Sequence, residues 1–263
     1  MSKRITTAVA ILGVAGVFSG CDLEQPSAGC QVQDATDAPW QAAYFLKNPA
    51  DAARSCGKLK GEAIGVFKYL NPENGLSRLA IRPEGAASLV SFEVEDAEGN
   101  VEEKERTDPK SATSLSESLT NKPDATGLCD AAGFAPATVN ARAVTVIADG
   151  VEEDIPAQSV SYAYDSVQVY SAPSAPGTQL KGTFRYSDGA GGEACEYTMI
   201  ALWPQVTCDI NAFNNPTDQN TAARCAEGSG LNPDFDAVCV AAIGSGGKGG
   251  CVPNPAKGVP SFK

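Results

Sequence analysis

The sequence contains no histidine. Its absence excludes Ser-His-Asp and Cys-His catalysis, where an imidazole must carry the proton, and removes the commonest nitrogen ligand of metal sites. No Cys-x-x-Cys pair occurs among the nine cysteines, so a tetrahedral zinc site of ordinary spacing has no support, and neither metal nor cofactor is expected. Positive charge is short as well. Against 32 Asp and Glu stand only 20 Lys and Arg, a net charge of −12. Such a chain is repelled by phosphate backbones, so no nucleic-acid partner is expected. Nor does any apolar run reach the about 20 residues that a membrane-crossing helix needs.

What is present begins at the N-terminus. Lys3 and Arg4 precede an apolar run from Ala8 to Phe18, which has the flanks and length of a secretory signal peptide. Phe18-Ser19-Gly20-Cys21 resembles the lipobox of bacterial lipoprotein precursors: a bulky apolar residue, two small ones, then cysteine. The resemblance implies cleavage after Gly20, a diacylglyceryl group on the Cys21 sulfur, and an acyl chain such as palmitate on its freed amine. Several chains anchor far better than one, since each buried methylene adds about 0.8 kcal/mol. The membrane is therefore the first expected partner. The cell envelope is the expected address, outer membrane ahead of inner, with the protein periplasmic or surface-facing. Asp22 is a counter-signal, because in enterobacterial lipoproteins an Asp after the lipidated cysteine resembles an inner-membrane retention signal.

Removing residues 1–20 leaves 243 residues and takes the formal charge to −14, because the segment holds Lys3 and Arg4 and no acid. With Cys21 lipidated, eight cysteines remain: Cys30, Cys56, Cys129, Cys195, Cys208, Cys225, Cys239 and Cys251. An even number in an exported chain suits a disulfide framework. Nearness along the chain favours Cys30 with Cys56, Cys195 with Cys208, and Cys225 with Cys239, although the connectivity itself stays open.

Four segments follow: signal peptide 1–20, lipidated cysteine and polar tether 21–36, a β domain 37–204, and a cysteine-rich tail 205–263. Alternation predicts strands at 40–46, 59–69 and 76–82, with a helical turn between the first two that Asn48 caps and Pro49 opens. Residues 88–95 and 100–107 suit a solvent-projecting hairpin turned by Asp96-Ala-Glu-Gly99. Segment 107–128 reads as an exposed loop with too little to bury. Further strands are expected at 139–148, 160–170, 179–186 and 196–203, with Pro173 and Pro176-Gly177 turning the chain and 188–192 as a hairpin loop. The fold class is all-β, an antiparallel sandwich or up-and-down barrel with an irregular disulfide-rich tail. That tail has few large apolar residues and should depend on its disulfides. Its Gly228–Phe235 stretch, Cys239, Cys251 and Pro260-Ser-Phe262 resemble those of uncharacterised cysteine-rich bacterial lipoproteins, a likeness with no function attached.

Candidate chemistry is sparse. Ser55-Cys-Gly-Lys58 and Ser245-Gly-Gly-Lys248 fit Ser-x-x-Lys, but the required Lys-Thr-Gly is replaced by Lys181-Gly-Thr183. Gly244 to Gly250 imitates a phosphate loop, yet Ala242 and Gly249 occupy two of its defining positions. Glu193 with Glu196, or Glu93, Glu95, Asp96 and Glu98, offer paired carboxylates that read better as solvated surface. Asp209, Asn211, Asn214, Asn215 and Asp218 offer oxygen ligands for calcium without the EF-hand spacing. No catalytic residue is assigned. The expectation is a non-enzymatic envelope protein with a structural or binding role, using loops such as 107–128 and 209–224 to meet envelope partners. Two alternatives are a carrier of small apolar ligands, which needs a closed barrel with an apolar lumen, and a carboxylate-dependent hydrolase.

Overall fold

The computed structural model describes residues 29–95, 101–148, 151–189, 193–215, 220, 222–241 and 248–263. The first strands are β1 (Trp40–Leu46), β2 (Gly61–Leu70) and β3 (Ser77–Pro83), followed by the short helix α1 (Glu84–Ala87). A hairpin of β4 (Ser91–Glu95) and β5 (Val101–Glu105) comes next, then β6 (Ser114–Leu115), β7 (Ser118–Leu119), β8 (Leu128–Ala132) and β9 (Ala137–Ala141). A second hairpin, β10 (Val144–Ala148) and β11 (Val151–Ile155), precedes the long strands β12 (Gln158–Ala172) and β13 (Ala175–Ser187), and then β14 (Cys195–Leu202). The tail adds β15 (Thr207–Asp209), α2 (Ile210–Asn214), β16 (Ala237–Ala241) and β17 (Lys248–Pro253).

Pairing runs β13-β14-β1-β2-β3-β7-β8-β12, and β12 returns to β13. The sheet has closed on itself, so of sandwich and barrel the pairing selects an up-and-down barrel, which leaves no long free edge. β9 carries the wall on from β8 along the first half of β12, and one bridge, Leu115 to Ala135, joins it to β6. The register of β12 against β13 shifts between Tyr164 and Ser166 and again between Tyr170 and Ser171. An extra residue in one strand bends it, and that lets a 15-residue strand follow the curve of the barrel.

Alternation fills the interior. Trp40 and Tyr44 of β1, Ile64 and Val66 of β2, Leu79 and Ile81 of β3, and Phe184 of β13 all belong to one buried cluster. The ring of Phe184 lies 5.4 Å from Tyr197 in a stacked arrangement and 4.9 Å from Tyr44 edge-on. A barrel of this strand number is just wide enough for its side chains to fill. The closed sheet asked of an apolar-ligand carrier is there, but these rings occupy the lumen.

Residues 40–44 of β1 are buried on both faces, because the tail packs on its outer wall. Ala43, Ile200 and Leu202 from the barrel meet Phe235, Val252 and Val259 from the tail. At Gly250 the two approach closely: a Cβ there would lie 2.2 Å from Cδ of Gln41, so any side chain would have to displace that buried amide. Gln179, wholly buried, accepts from Ser261 N–H at 2.8 Å and anchors the last residues. The tail is therefore a three-stranded sheet (β15-β17-β16) that uses the barrel as half its core, a support its own sparse apolar residues did not reveal.

Several expectations need correction. Segment 107–128 is not one exposed loop, since β6 and β7 complete the barrel wall with Ala112, Ser114, Ser116 and Leu119 buried. Hydroxyls replace apolar bulk there: Ser116 Oγ accepts from Leu79 N–H at 2.7 Å, and Ser114 donates to the Ala135 carbonyl at 2.6 Å. The expected strand at 139–148 is two strands, broken at Arg142, whose N–H donates to the Arg106 carbonyl. Pro176 and Gly177 lie inside β13, and the turn is confined to Pro173 and Ser174. The last part of the expected tether packs on the barrel: Gln33 N–H donates to the Gly177 carbonyl and Ala35 N–H to Val66.

All three favoured disulfide pairings are overturned. The bonds are Cys30–Cys129, Cys56–Cys195, Cys208–Cys239 and Cys225–Cys251. Sequence proximity failed because the barrel brings distant strands together. Cys195 opens β14 beside the loop that follows β1, where Cys56 sits, while Cys30 meets β8. In the tail, Cys239 and Cys251 face each other across β16 and β17, yet each bonds a cysteine from the preceding segment.

Candidate functional site

The barrel has two unlike ends. At one, the chain enters through Cys30, and the β2–β3 turn, residues 120–127 and the β12–β13 turn lie nearby. At the other, the ends of β2 and β3 near Gly61 and Pro83 adjoin α1, and both projecting hairpins leave the barrel. The second end carries the unusual chemistry.

The hairpins β4–β5 and β10–β11 share one root. Arg106, only 6% exposed, donates from Nε and Nη2 to the Arg142 carbonyl at 3.1 and 3.0 Å, and from Nη2 to the Pro156 carbonyl at 2.6 Å. Arg142 returns a bond from Nη2 to the Glu105 carbonyl at 2.9 Å. A planar guanidinium has enough donors to meet several carbonyls at once, so this clamp ties the exit of the first hairpin to both ends of the second. The strands it holds are acidic: Glu93, Glu95, Glu102, Glu103 and Glu105 in one pair, Glu152, Glu153 and Asp154 in the other. Cross-strand partners Glu93 and Glu103 place two like charges opposite each other, an arrangement that destabilises a hairpin and raises local negative potential.

Beneath α1 lies a carboxylate that the sequence reading did not single out. Glu62 accepts from Tyr44 Oη at 2.9 Å, from the Gly85 N–H and from the Tyr162 hydroxyl. Gly85 has no room for a side chain, because a Cβ would lie 2.6 Å from Tyr162 Oη and 3.1 Å from Glu62 Oε2. Burial raises the Glu62 carboxyl above its ordinary range, and the three donors oppose that shift. Burial and the facing carboxylate likewise push Tyr44 and Tyr162 up, and Tyr186 rises to about 12, so all three hydroxyls stay protonated. Tyr164 Oη is buried with no partner among the described residues. A mouth of about 710 Å³ opens beside this group, lined by Gly85, Asn140, Gln158, Ser159, Tyr186 and Asp188 among others.

The raised Glu62 sets a sign. A carboxyl whose folded value exceeds its unfolded one favours the folded state while protonated, and that contribution is lost as pH rises through the folded value. Glu62→Gln keeps an acceptor for Tyr44 and Gly85 and removes the titration. Wild-type stability should therefore fall, relative to Glu62→Gln, as pH rises from about 4.5 upward. Urea unfolding of both proteins across that range checks it; parallel profiles would show that Glu62 titrates normally.

The residues that sequence reasoning named are scattered. Ser55 Oγ donates to Asp188 at 3.2 Å, while Lys58 Nζ donates to the Ala52 carbonyl, so the two side chains turn to different partners. Lys181 Nζ reaches the Val259 carbonyl on the outer wall at 3.3 Å. Glu193 and Glu196 form surface ion pairs with Arg54 and Lys47 at 2.7 and 3.1 Å. Asp209 Oδ1 caps α2, accepting from Asn211 and Ala212 N–H, which leaves that oxygen committed to the helix. Ser245, Asp218, Asp96, Glu98 and the lipobox with Cys21 lie outside the described residues, as does the phosphate-loop imitation apart from Lys248–Gly250 in β17. Among the described residues, no helix is long and apolar enough to cross a membrane.

Comparison with known proteins gives two matches. The family model MlpA matches residues 38–204, a span that contains the barrel strands from Trp40 to Leu202. A Myxococcus xanthus protein described as a candidate lipoprotein, MlpA, is 37% identical over 268 aligned positions, covering all of both chains. No solved structure matches the chain.

Proposed function

This chain belongs to the MlpA lipoprotein family, and on that premise we propose that it is a lipid-anchored envelope protein that binds a basic partner through its two clamped hairpins. The acyl chains sit on Cys21 and hold the protein to the outer membrane. The observation that carries the reading is the Arg106 clamp, which spends a buried cation on fixing two acidic arms relative to each other. Binding rather than catalysis also suits a chain with no histidine and a lumen filled by aromatic rings.

The test places a photo-crosslinking residue at Phe92 of β4 in the full lipidated protein in its native envelope. Adducts should form, and Glu103→Lys with Asp154→Lys should weaken them about ten-fold or more, with the remainder sensitive to salt. Adducts that persist unchanged in the charge-reversed protein would remove the hairpins from the proposal.

A further inference from the structure

Four large apolar side chains are exposed among the described residues: Phe45, Tyr69, Leu70 and Leu76. Three of them flank one turn. Tyr69 and Leu70 close β2, and Leu76 immediately precedes β3, with exposures of 54%, 63% and 49%. The turn between them is tightly bonded. Asn71 N–H donates to the Leu76 carbonyl at 2.9 Å, Gly75 N–H donates to Asn71, and Asn71 and Asn74 side chains cap the N–H groups of Glu73 and Leu76. A rigid turn that holds three apolar side chains in water gains nothing from packing within the barrel.

The entry of the chain lies beside it. Lys68, the residue before Tyr69, donates from Nζ to the Cys30 carbonyl at 2.5 Å, and Cys30 is fixed to β8 by its disulfide. Nine residue steps separate Cys30 from Cys21, a reach of at most about 30 Å when fully extended. With Cys21 acylated, this end of the barrel stays within that reach of the bilayer surface. The acidic hairpins leave from the other end, so the protein has an apolar foot near its tether and its charge away from it.

We infer that Tyr69, Leu70 and Leu76 form a membrane-seated foot, in which the β2–β3 turn lies on the lipid interface and fixes the tilt of the barrel above the membrane. The two leucines enter the acyl boundary, and Tyr69 places its ring there with its hydroxyl among headgroups, as interfacial tyrosines do. Glu73 and the turn amides stay in the hydrated headgroup layer. A lipid surface is the occupant because the nine-step tether keeps an anchor at Cys21 within about 30 Å of Cys30, beside this turn.

The inference rests on acylation of Cys21, and the experiment separates the two. Full lipidated protein carrying Tyr69→Trp is reconstituted in phosphatidylethanolamine–phosphatidylglycerol vesicles containing phosphatidylcholine brominated near the glycerol end of its chains. A second protein carries Gln158→Trp at the far end of the barrel, and vesicle flotation records attachment. Bromolipid should quench about half of the emission that Trp at 69 adds over the native Trp40 and Trp203, and none of that added at 158. Leu70→Ser with Leu76→Ser should abolish the quenching at 69 while the protein still floats. Protein that floats with unquenched Trp at 69 overturns the foot and leaves the anchor standing. Protein that does not float overturns both.

Discussion

Replacing Cys56 and Cys195 together by alanine is expected to lower folding stability by about 4–5 kcal/mol, the largest effect of any disulfide here. That bond closes 139 residues, nearly the whole barrel, between the loop after β1 and the start of β14. Cross-linking a long loop removes more freedom from the unfolded chain than a short one. It also holds the join where the last strand meets the first, and Tyr197 Oη donates to the Cys56 carbonyl at 2.6 Å beside it. Cys225 and Cys251, which close only 26 residues in the tail, should cost about 3 kcal/mol on the same reasoning. Urea unfolding of the two double variants decides it: an equal or reversed order would mean that chain entropy is not what the barrel bond supplies. Peptide mapping without reduction should link the segments around 56 and 195.

Phe184→Ala should cost about 3–5 kcal/mol, since it empties a fully buried site among other rings. Tyr162 lies 6.0 Å away and Tyr164 5.4 Å, in addition to Tyr197 and Tyr44. Strands bonded on both sides have little freedom to close over the space, so most of the cavity should persist. Denaturant midpoints measure the loss, and binding of a small aromatic such as benzene would report the cavity. A loss below about 1.5 kcal/mol would mean that the tyrosines collapse inward, contrary to a rigid barrel.

Local pattern carried the strands well. Trp40-Gln-Ala-Ala-Tyr44 alternates as a wall strand should, and Asn48 does cap the turn that Pro49 opens, accepting from Ala50 N–H at 3.2 Å. The information that failed to show was long-range. Ser114 and Ser116 read as loop because their hydroxyl partners, the Ala135 carbonyl and Leu79 N–H, are far along the chain. Glu62 passed unnoticed because its three donors come from β1, α1 and β12, and no spacing links them. Arg106 is one arginine after a run of glutamates, and its role depends on carbonyls at 142 and 156. The Cys30–Cys129 and Cys56–Cys195 pairings depend on closure of the barrel, which composition cannot express. The even number of cysteines after Cys21 needs only the envelope setting, and it was legible from the start.

The Cys30–Cys129 bond has a mechanical meaning for a tethered protein. A pull on an anchor at Cys21 would pass through Cys30, near the start of the described residues, and covalently into β8. The 98 residues between those two cysteines, which include β1 to β7 and the apolar turn, form a covalent loop that the bond closes. A pull at Cys30 is therefore shared between β2, which Lys68 and Val66 bond to the entering segment, and the pairs of β8 with β12, where Val167 to Tyr170 meet Leu128 to Ala131.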